Sequence, residues 1–590
     1  MENIHKERIS ALRSLMMARG WDAVVITGSD PHSSEYPAAR WKQVEWLSGF
    51  TGEAGDMVIT EDHAGLWTDT RYFIQANRQL EGTGAVLHKT RVPEQVLIPE
   101  WLREQLGDEC VVAVDGLCVS ADYAASLPGT VVSIPNLLDV IWKDRPQIPQ
   151  TSIVTMECGV RREDKIGRLR DFLAEKDCDG MVISSLDEIA WLLNIRASDI
   201  EYNPMAISYL LVGGKDIFWY VTKDEDVDET SAASFSIVEA AGVDIRGYDE
   251  IDLLCHDFEG RLYLDCSTVN YNLYSSIVGA KIAVEEGPSP IAEWKAVKNP
   301  VEIEGMKRAH LMDGAAMENF LYWVERCVES GREISERDAA DKLGQLRSEI
   351  AEYRGDSFET ISAYGEGAAL PHYITPQEDA PLLRDCGLYL CDSGGQFTCG
   401  TTDITRTVPL GKCTALEKED YTLVLKGHID LAMAVFPEGT PGCRIDALAR
   451  EPLWRHMRNF GHGTGHGVGY WLGVHEGPQD IRQNLNPTPL QAGMITSDEP
   501  GIYREGKHGV RHENLLLCVD AGSNEFGHWL KFEPLTLCHF DTSILLTALL
   551  AKDELDWLDA YNEHVYRTLS PLLSPAVSGW LREKTRPVGK

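Results

Sequence analysis

"LYLCDSGGQFTCGTTDITRTV", residues 388–408, runs as an apolar strand into Asp392, passes a Gly394-Gly395 turn region and returns as a strand-like run carrying Asp403. The midpoint of the two acids falls between Phe397 and Thr398. A hairpin symmetric about that point predicts both carboxylates on neighbouring strands within a few ångströms of each other. Like charges that close repel, so the pair calls for something positive between them. The construction recurs at Glu499 in "SDEPGIY" and Glu513 in "VRHENLLL", which flank "REGKHG" with Gly506 midway. Taken singly, each acid reads as a solvated charge at a turn. Four acids on two hairpins are harder to explain in that way.

Between the hairpins in sequence lies "GHGTGHGVG", residues 461–469, with His462 and His466 four apart. Its alternating glycines, each costing about 1 kcal/mol relative to alanine in a helix, argue against a helix. The reading is an extended or looped site wall whose bare backbone lets other groups approach closely. A flexible glycine loop with incidental histidines is the alternative. Two carboxylate pairs and one imidazole have charge enough for two divalent cations about 3.5–4 Å apart, sharing bridging carboxylates and a bridging water or hydroxide. The ligand types point to manganese, iron, cobalt or zinc and away from an all-thiolate structural zinc site.

The surrounding chain extends to 590 residues, too long for one core, and sets an expectation of about three or four domains. A formal net charge of -37 opposes nucleic acid or an anionic membrane surface as a partner. Fourteen cysteines without a CxxC pair fit free thiols in a reducing compartment. Charges interrupt the apolar residues of "MENIHKERISALRSLMMARG", which therefore lacks a signal-peptide core, and a cytoplasmic protein is expected. Proline-marked linkers are read at "KDRPQIPQ", 143–150, and "EEGPSPIAEW", 285–294. They set domains at 1–150, 151–295 and 296–590. The first two segments repeat one plan: Ile9, Leu12 and Arg13 precede "WDAVVIT" as Ile166, Leu169 and Arg170 precede "CDGMVIS", and "WLSGF" or "WLLNI" follows. Two related α/β domains are the reading, the first with an insertion "PHSSEYPAARWK". From Val301 long amphipathic helices take over, with Ile303, Met306, Ala309, Met317, Phe320 and Val324 on one face and a capping box at "TALE" from Thr414. That reads as an α+β domain of helices backing a curved sheet.

These segments resemble the metal-binding segments of the pita-bread metallopeptidases, specifically the large cytosolic Xaa-Pro aminopeptidase family. "SSEYPAARWKQVEWLSGFTGEAG", "TDTRYFIQA", "DEIAWLLNIRASDIEYNP" and "WKAVKNPVEIEGMKRAH" extend the resemblance over nearly the whole chain. It implies two creatinase-like α/β domains before a pita-bread catalytic domain with a C-terminal extension. It further implies that Asp392, Asp403, His466, Glu499 and Glu513 hold two metal ions per subunit, Mn2+ first and Zn2+, Co2+ or Fe2+ as alternatives. His372 in "LPHYI" and His475 in "VHEGP" resemble substrate-contacting histidines, His462 is implied at the pocket wall, Arg511 stands two residues before a bridging glutamate, and Arg71 matches an arginine near the substrate, with a structural ion pair as the alternative reading of it. Three departures stand out: Thr70 where glycine is usual, His512 where an aliphatic residue is expected, and His539 where proline is expected.

The implied reaction releases the first residue of peptides with proline second. A metal-bridging hydroxide attacks the scissile carbonyl, Glu499 relays a proton to the prolyl nitrogen, and His372 and His475 stabilise the tetrahedral intermediate. Competing readings are a prolidase limited to dipeptides and a non-catalytic peptide-binding module, which lacks the metal ligands. A homodimer is expected, with the apolar residues of "WLKFEPLTLCHF" and the tail "DELDWLDAYNEHVYRTL" as interface surface.

Overall fold

Two short runs, "AVVI" and "GMVI", are buried along their whole length and form the central strands of two six-stranded sheets in the N-terminal unit, Met1–Ile291. The computed structural model describes residues 4–222 and 227–588. Strands β1 (Ala23–Ile26), β2 (Asp56–Ile59), β3 (Ala64–Thr68), β4 (Val86–Lys89), β5 (Val111–Val114) and β6 (Thr130–Ser133) lie in the order 4-3-2-1-5-6. Strands β7 (Gly180–Ile183), β8 (Ser208–Gly213), β9 (Ile217–Val221), β10 (Asp244–Gly247), β11 (Arg261–Leu264) and β12 (Ala283–Glu286) lie in the equivalent order 10-9-8-7-11-12. Strand directions repeat as well, β1 being antiparallel to β2 and parallel to β5, and β7 antiparallel to β8 and parallel to β11.

The repeated sequence plan has a repeated physical role. Helices α1 (Ile4–Arg19) and α2 (Arg162–Glu175) bury Ile9 and Leu12, and Ile166 and Leu169, while the following arginine reaches the second strand. Arg13 donates to the Thr60 carbonyl at 2.9 Å, and Arg170 to the Gly213 carbonyl at 3.0 Å. The second proline stretch is more ordered than a linker. A helix starts at Pro290, Ile291 is fully buried, and the Ser289 hydroxyl donates to Glu188 at 2.7 Å.

The C-terminal unit, Ala292–Lys590, contains the 30-residue helix α3 (Pro300–Glu329). Asn299 caps it, and Glu302 accepts from the Asn299 amide at 2.9 Å. Met306, Ala309, Met317, Phe320 and Val324 are buried as their spacing predicts, whereas Ile303 is only partly covered, near the helix start. The Thr414 capping box opens α4 (Ala415–Ala432). Strands β13 (Leu388–Ser393) and β14 (Ile404–Pro409) pair antiparallel, but Asp392 faces Thr405. The hairpin is thus centred between Thr398 and Cys399, one residue beyond the sequence expectation. Phe397 and Cys399 are both buried against Ala309, which draws the turn inward and places Asp403 diagonally from Asp392.

The second hairpin is centred where expected. Strand β15 (Ile495–Asp498) pairs with β18 (Asn514–Asn524), and β16 (Gly501–Arg504) with β17 (His508–Arg511), all about Gly506 at φ +68°. The expected interface surface is mostly used internally. Leu530, Phe532 and Phe540 are buried, as are Leu558, Tyr561, Val565 and Leu569 of the tail helix Lys552–Leu569. Its apolar face closes the core of its own unit with Tyr421, Val424 and Ile429 of α4.

Phe320→Ala should therefore lower the stability of the C-terminal unit by about 3–5 kcal/mol, and Thr414→Ala by about 1 kcal/mol. Urea unfolding followed by a probe in that unit checks the ranking.

Candidate metal centre

Each hairpin supplies two carboxylates to one place. Asp392 is the penultimate residue of β13, Asp403 immediately precedes β14, and Glu499 and Glu513 face each other in the break between the paired stretches of the second hairpin. The Asp392, Asp403 and Glu513 side chains present oxygens within 4.8 Å of one another, and His466, Glu499 and Glu513 do the same with one nitrogen and two oxygens. His466 Nε2 stands 3.4 Å from both Asp403 Oδ2 and Glu499 Oε1. Its Nδ1 lies 2.9 Å from the Gly467 carbonyl, which fixes the ring so that Nε2 faces the acids. The structure thus brings together the five residues singled out in the sequence.

The glycines around His466 answer to close approach. None of Gly463, Gly465, Gly467 and Gly469 has a left-handed φ. A Cβ at Gly465 would strike the Ser497 carbonyl oxygen, one at Gly467 the Glu476 carbonyl oxygen, and one at Gly469 would lie 2.5 Å from Glu476 Oε2. The Gly465–His466 strand pairs with Asp480–Ile481, and the His466 amide donates to the Ser497 hydroxyl at 2.9 Å. Bare backbone is what allows the histidine to sit against the strand that leads to Glu499.

The charge balance fits cations. Burial raises the Asp392 carboxyl, with Asp403 adding repulsion and Arg511 opposing it. Burial likewise pushes Glu499 up to about 7 and Glu513 well above the usual range, with Asp403 adding to both. Asp392 Oδ1 and Glu513 Oε1 are buried without a hydrogen-bond partner, although buried carboxylate oxygens are ordinarily paired. Divalent cations satisfy both the orphaned oxygens and the repulsion.

A shell of polar groups holds the acids. Arg511 forms an ion pair with Asp392, donates to Tyr503 Oη at 2.8 Å and reaches Thr405 Oγ1 at 3.1 Å. Thr405 in turn donates to Glu513 Oε2 at 2.8 Å. His462 Nε2 lies 2.8 Å from Tyr503 Oη, and burial with the nearby Arg511 charge lowers this imidazole to about 3, so it is neutral. His372 also bears on the electrostatics of His462. His475 is exposed, its ring edge-on to His466 with centroids 4.3 Å apart. Arg71 lies in the N-terminal unit, in a bidentate ion pair with Asp69.

Thr405 and Tyr503 were not singled out in the sequence. Their signal was strand alternation, since Thr405 stands two residues after Asp403 and Tyr503 four after Glu499. His512, in the break between β17 and β18, packs edge-on to Tyr421 with ring centroids 4.5 Å apart and is held neutral by burial. Among the described residues two further groups have metal-like spacing: Asp403, His466 and His475, at this same centre, and Glu318, Cys538 and His539. There Glu318 is already taken by the His539 amide at 2.9 Å and Nδ1 at 2.8 Å.

Residues 8–145 and 144–302 match models of the creatinase/prolidase N-terminal domain, 304–520 match metallopeptidase family M24, and 528–588 match the C-terminal region of peptidase M24. The chain is 37% identical to aminopeptidase P1 of Arabidopsis thaliana, with 99% of each chain covered. It is 39% identical to a probable Xaa-Pro aminopeptidase P of Laccaria bicolor, with 99% of this chain and 93% of the relative covered. The X-prolyl aminopeptidase of Caenorhabditis elegans, described as a cytosolic enzyme with a dinuclear active site, superposes with a TM-score of 0.93 at 36% identity, covering 99% of this chain and 100% of that one. A Xaa-Pro dipeptidase of Bacillus anthracis shares the fold over 64% of this chain, at 24% identity and a TM-score of 0.50. The class is that of the M24 metallopeptidases with creatinase/prolidase N-terminal domains. Within it the chain belongs to the aminopeptidase P family.

Two outcomes follow for the centre. Metal uptake should release protons and weaken as pH falls through about 7, because the raised carboxyls must lose protons to bind; titration calorimetry in buffers of different ionisation enthalpy reads this directly. Gly465→Ala should lose metal by displacing His466 from the strand that leads to Glu499, which metal analysis of the purified variant checks.

Proposed function

We propose that the protein is a dinuclear metal-dependent aminopeptidase that releases the N-terminal residue from peptides with proline second. The observation that carries this reading is the buried acid cluster, with His466 Nε2 3.4 Å from Asp403 and Glu499 and with unpartnered oxygens on Asp392 and Glu513. Asp392, Asp403, His466, Glu499 and Glu513 would hold two ions, with manganese the first candidate. When bound, such ions supply Lewis-acid polarisation of the scissile carbonyl and an activated water.

The chain's own residues account for the remaining requirements. His475, exposed beside His466, is placed to donate to the carbonyl oxygen as negative charge develops there. His372 contacts substrate on the side of His462. Glu499, part-exposed at the rim, moves the proton to the leaving prolyl nitrogen. Neutral His462 and Arg511 fix Tyr503 between them and keep Asp392 oriented. For Arg71, paired with Asp69 within the N-terminal unit, a role in substrate binding rests on the family resemblance alone. The Caenorhabditis elegans relative supports a cytosolic enzyme, and fourteen free cysteines fit that compartment. A homodimer is part of the proposal.

A prolidase is the second reading. The relatives that match along the whole chain at 37% and 39% identity are named aminopeptidase P1 and probable Xaa-Pro aminopeptidase P, which favours the aminopeptidase.

With metal restored, Xaa-Pro-Xaa tripeptides should be cleaved and Xaa-Ala controls spared. Activity on Xaa-Pro dipeptides alone would establish the prolidase. His475→Ala should lower turnover about 10²-fold while keeping its metal, and loss of metal would place His475 among the ligands. Sedimentation equilibrium at micromolar concentration should give twice the chain mass.

A further inference from the structure

The segment "WKAVKNP", residues 294–300, carries two lysines three residues apart whose task the reaction does not explain. Both side chains turn inward. Lys295 Nζ lies 3.1 Å and Lys298 Nζ 3.7 Å from one oxygen of Glu476, and all three side chains are 2% exposed or less. Burying three charges is costly, and a well-packed apolar substitute is often no less stable, so stability alone is a weak reason for the triad. Its location supplies another. Glu476 directly follows His475, and its amide donates to the Gly467 carbonyl at 2.8 Å, directly after His466. Its carboxylate and carbonyl also fill the space that Cβ atoms at Gly469 and Gly467 would need. The two lysines hold the carboxylate in one orientation, and the backbone of the same residue sets the separation of the two imidazoles, whose centroids are 4.3 Å apart.

We propose that Glu476, pinned by Lys295 and Lys298, is a positioning residue that fixes His475 against His466, so that the oxyanion donor and the metal ligand keep one mutual geometry. The proposal rests on the roles given above to His466 and His475. It also assigns a reason to the paired lysines at the head of the catalytic unit: both draw the same oxygen, Oε1, to one side, which leaves Oε2 facing Gly469.

The test is a double-mutant cycle with a spectroscopic readout on the full-length, metal-loaded enzyme. Glu476→Gln should lower kcat on an Xaa-Pro tripeptide about tenfold, yet cost less than about twofold in a His475→Ala background, since residues acting as a unit are non-additive. With 13C-labelled histidine and diamagnetic zinc as the bound metal, the imidazole signals of His466 and His475 should shift in Glu476→Gln while that of His32, buried in the N-terminal unit, stays. Equal losses in both backgrounds, or unmoved His466 and His475 signals, would overturn the proposal. Shifted signals in a protein that cleaves no Xaa-Pro peptide would uphold the positioning and refute the functional reading. Should Glu476→Gln fail to fold, Lys298→Met, which keeps the Lys295 contact, enters the same cycle under the same criteria, with Lys298→Arg expected to restore both readouts.

Discussion

Four carboxylates gathered at one place, three of them buried, are the constraint on which the catalytic unit depends. Two unit charges about 4 Å apart repel by about 4 kcal/mol at an effective dielectric of 20, and Asp392, Asp403, Glu499 and Glu513 make several such pairs. The unit answers in three ways. Arg511 neutralises Asp392, Thr405 gives Glu513 a hydroxyl, and His466 turns its Nε2 toward Asp403 and Glu499. Oxygens remain unpaired after all three, and they are what a pair of divalent cations would complete.

Holding the acids against their repulsion requires backbones that touch. The Gly465–His466 strand rests on Ser497 and Glu476 so closely that no side chain fits at three alternate positions. From behind, the buried Arg406 binds the Glu513 carbonyl at 2.5 Å and the Cys538 carbonyl at 2.6 Å, tying β14 to the second hairpin. Ligand geometry is therefore set by main-chain contacts, which tolerate far less variation than flexible side chains do.

Much of this was legible in the sequence. Gly506 marked the centre of the second hairpin correctly, because a short polar turn between two apolar strands leaves one register available. The first hairpin shifted by one residue because burial of Phe397 and Cys399 under α3 decides its turn, a tertiary effect that spacing does not contain. Repeated Arg13 and Arg170 were visible as a pattern, but their strand-end carbonyl partners were not. The glycines signalled close approach of backbone, but the groups that approach, Ser497 and Glu476, lie at long range in the chain. The tail looked like free apolar surface because an amphipathic helix does not reveal which neighbour covers it; here α4 does.

The central claim is that this acid cluster holds two metal ions on the ligands named. Anomalous diffraction at the metal edge from crystals of the manganese-loaded enzyme tests it most directly. Two peaks are expected, one bounded by Asp392, Asp403 and Glu513 and the other by Asp403, His466, Glu499 and Glu513. A single peak, or peaks away from these five side chains, would contradict it.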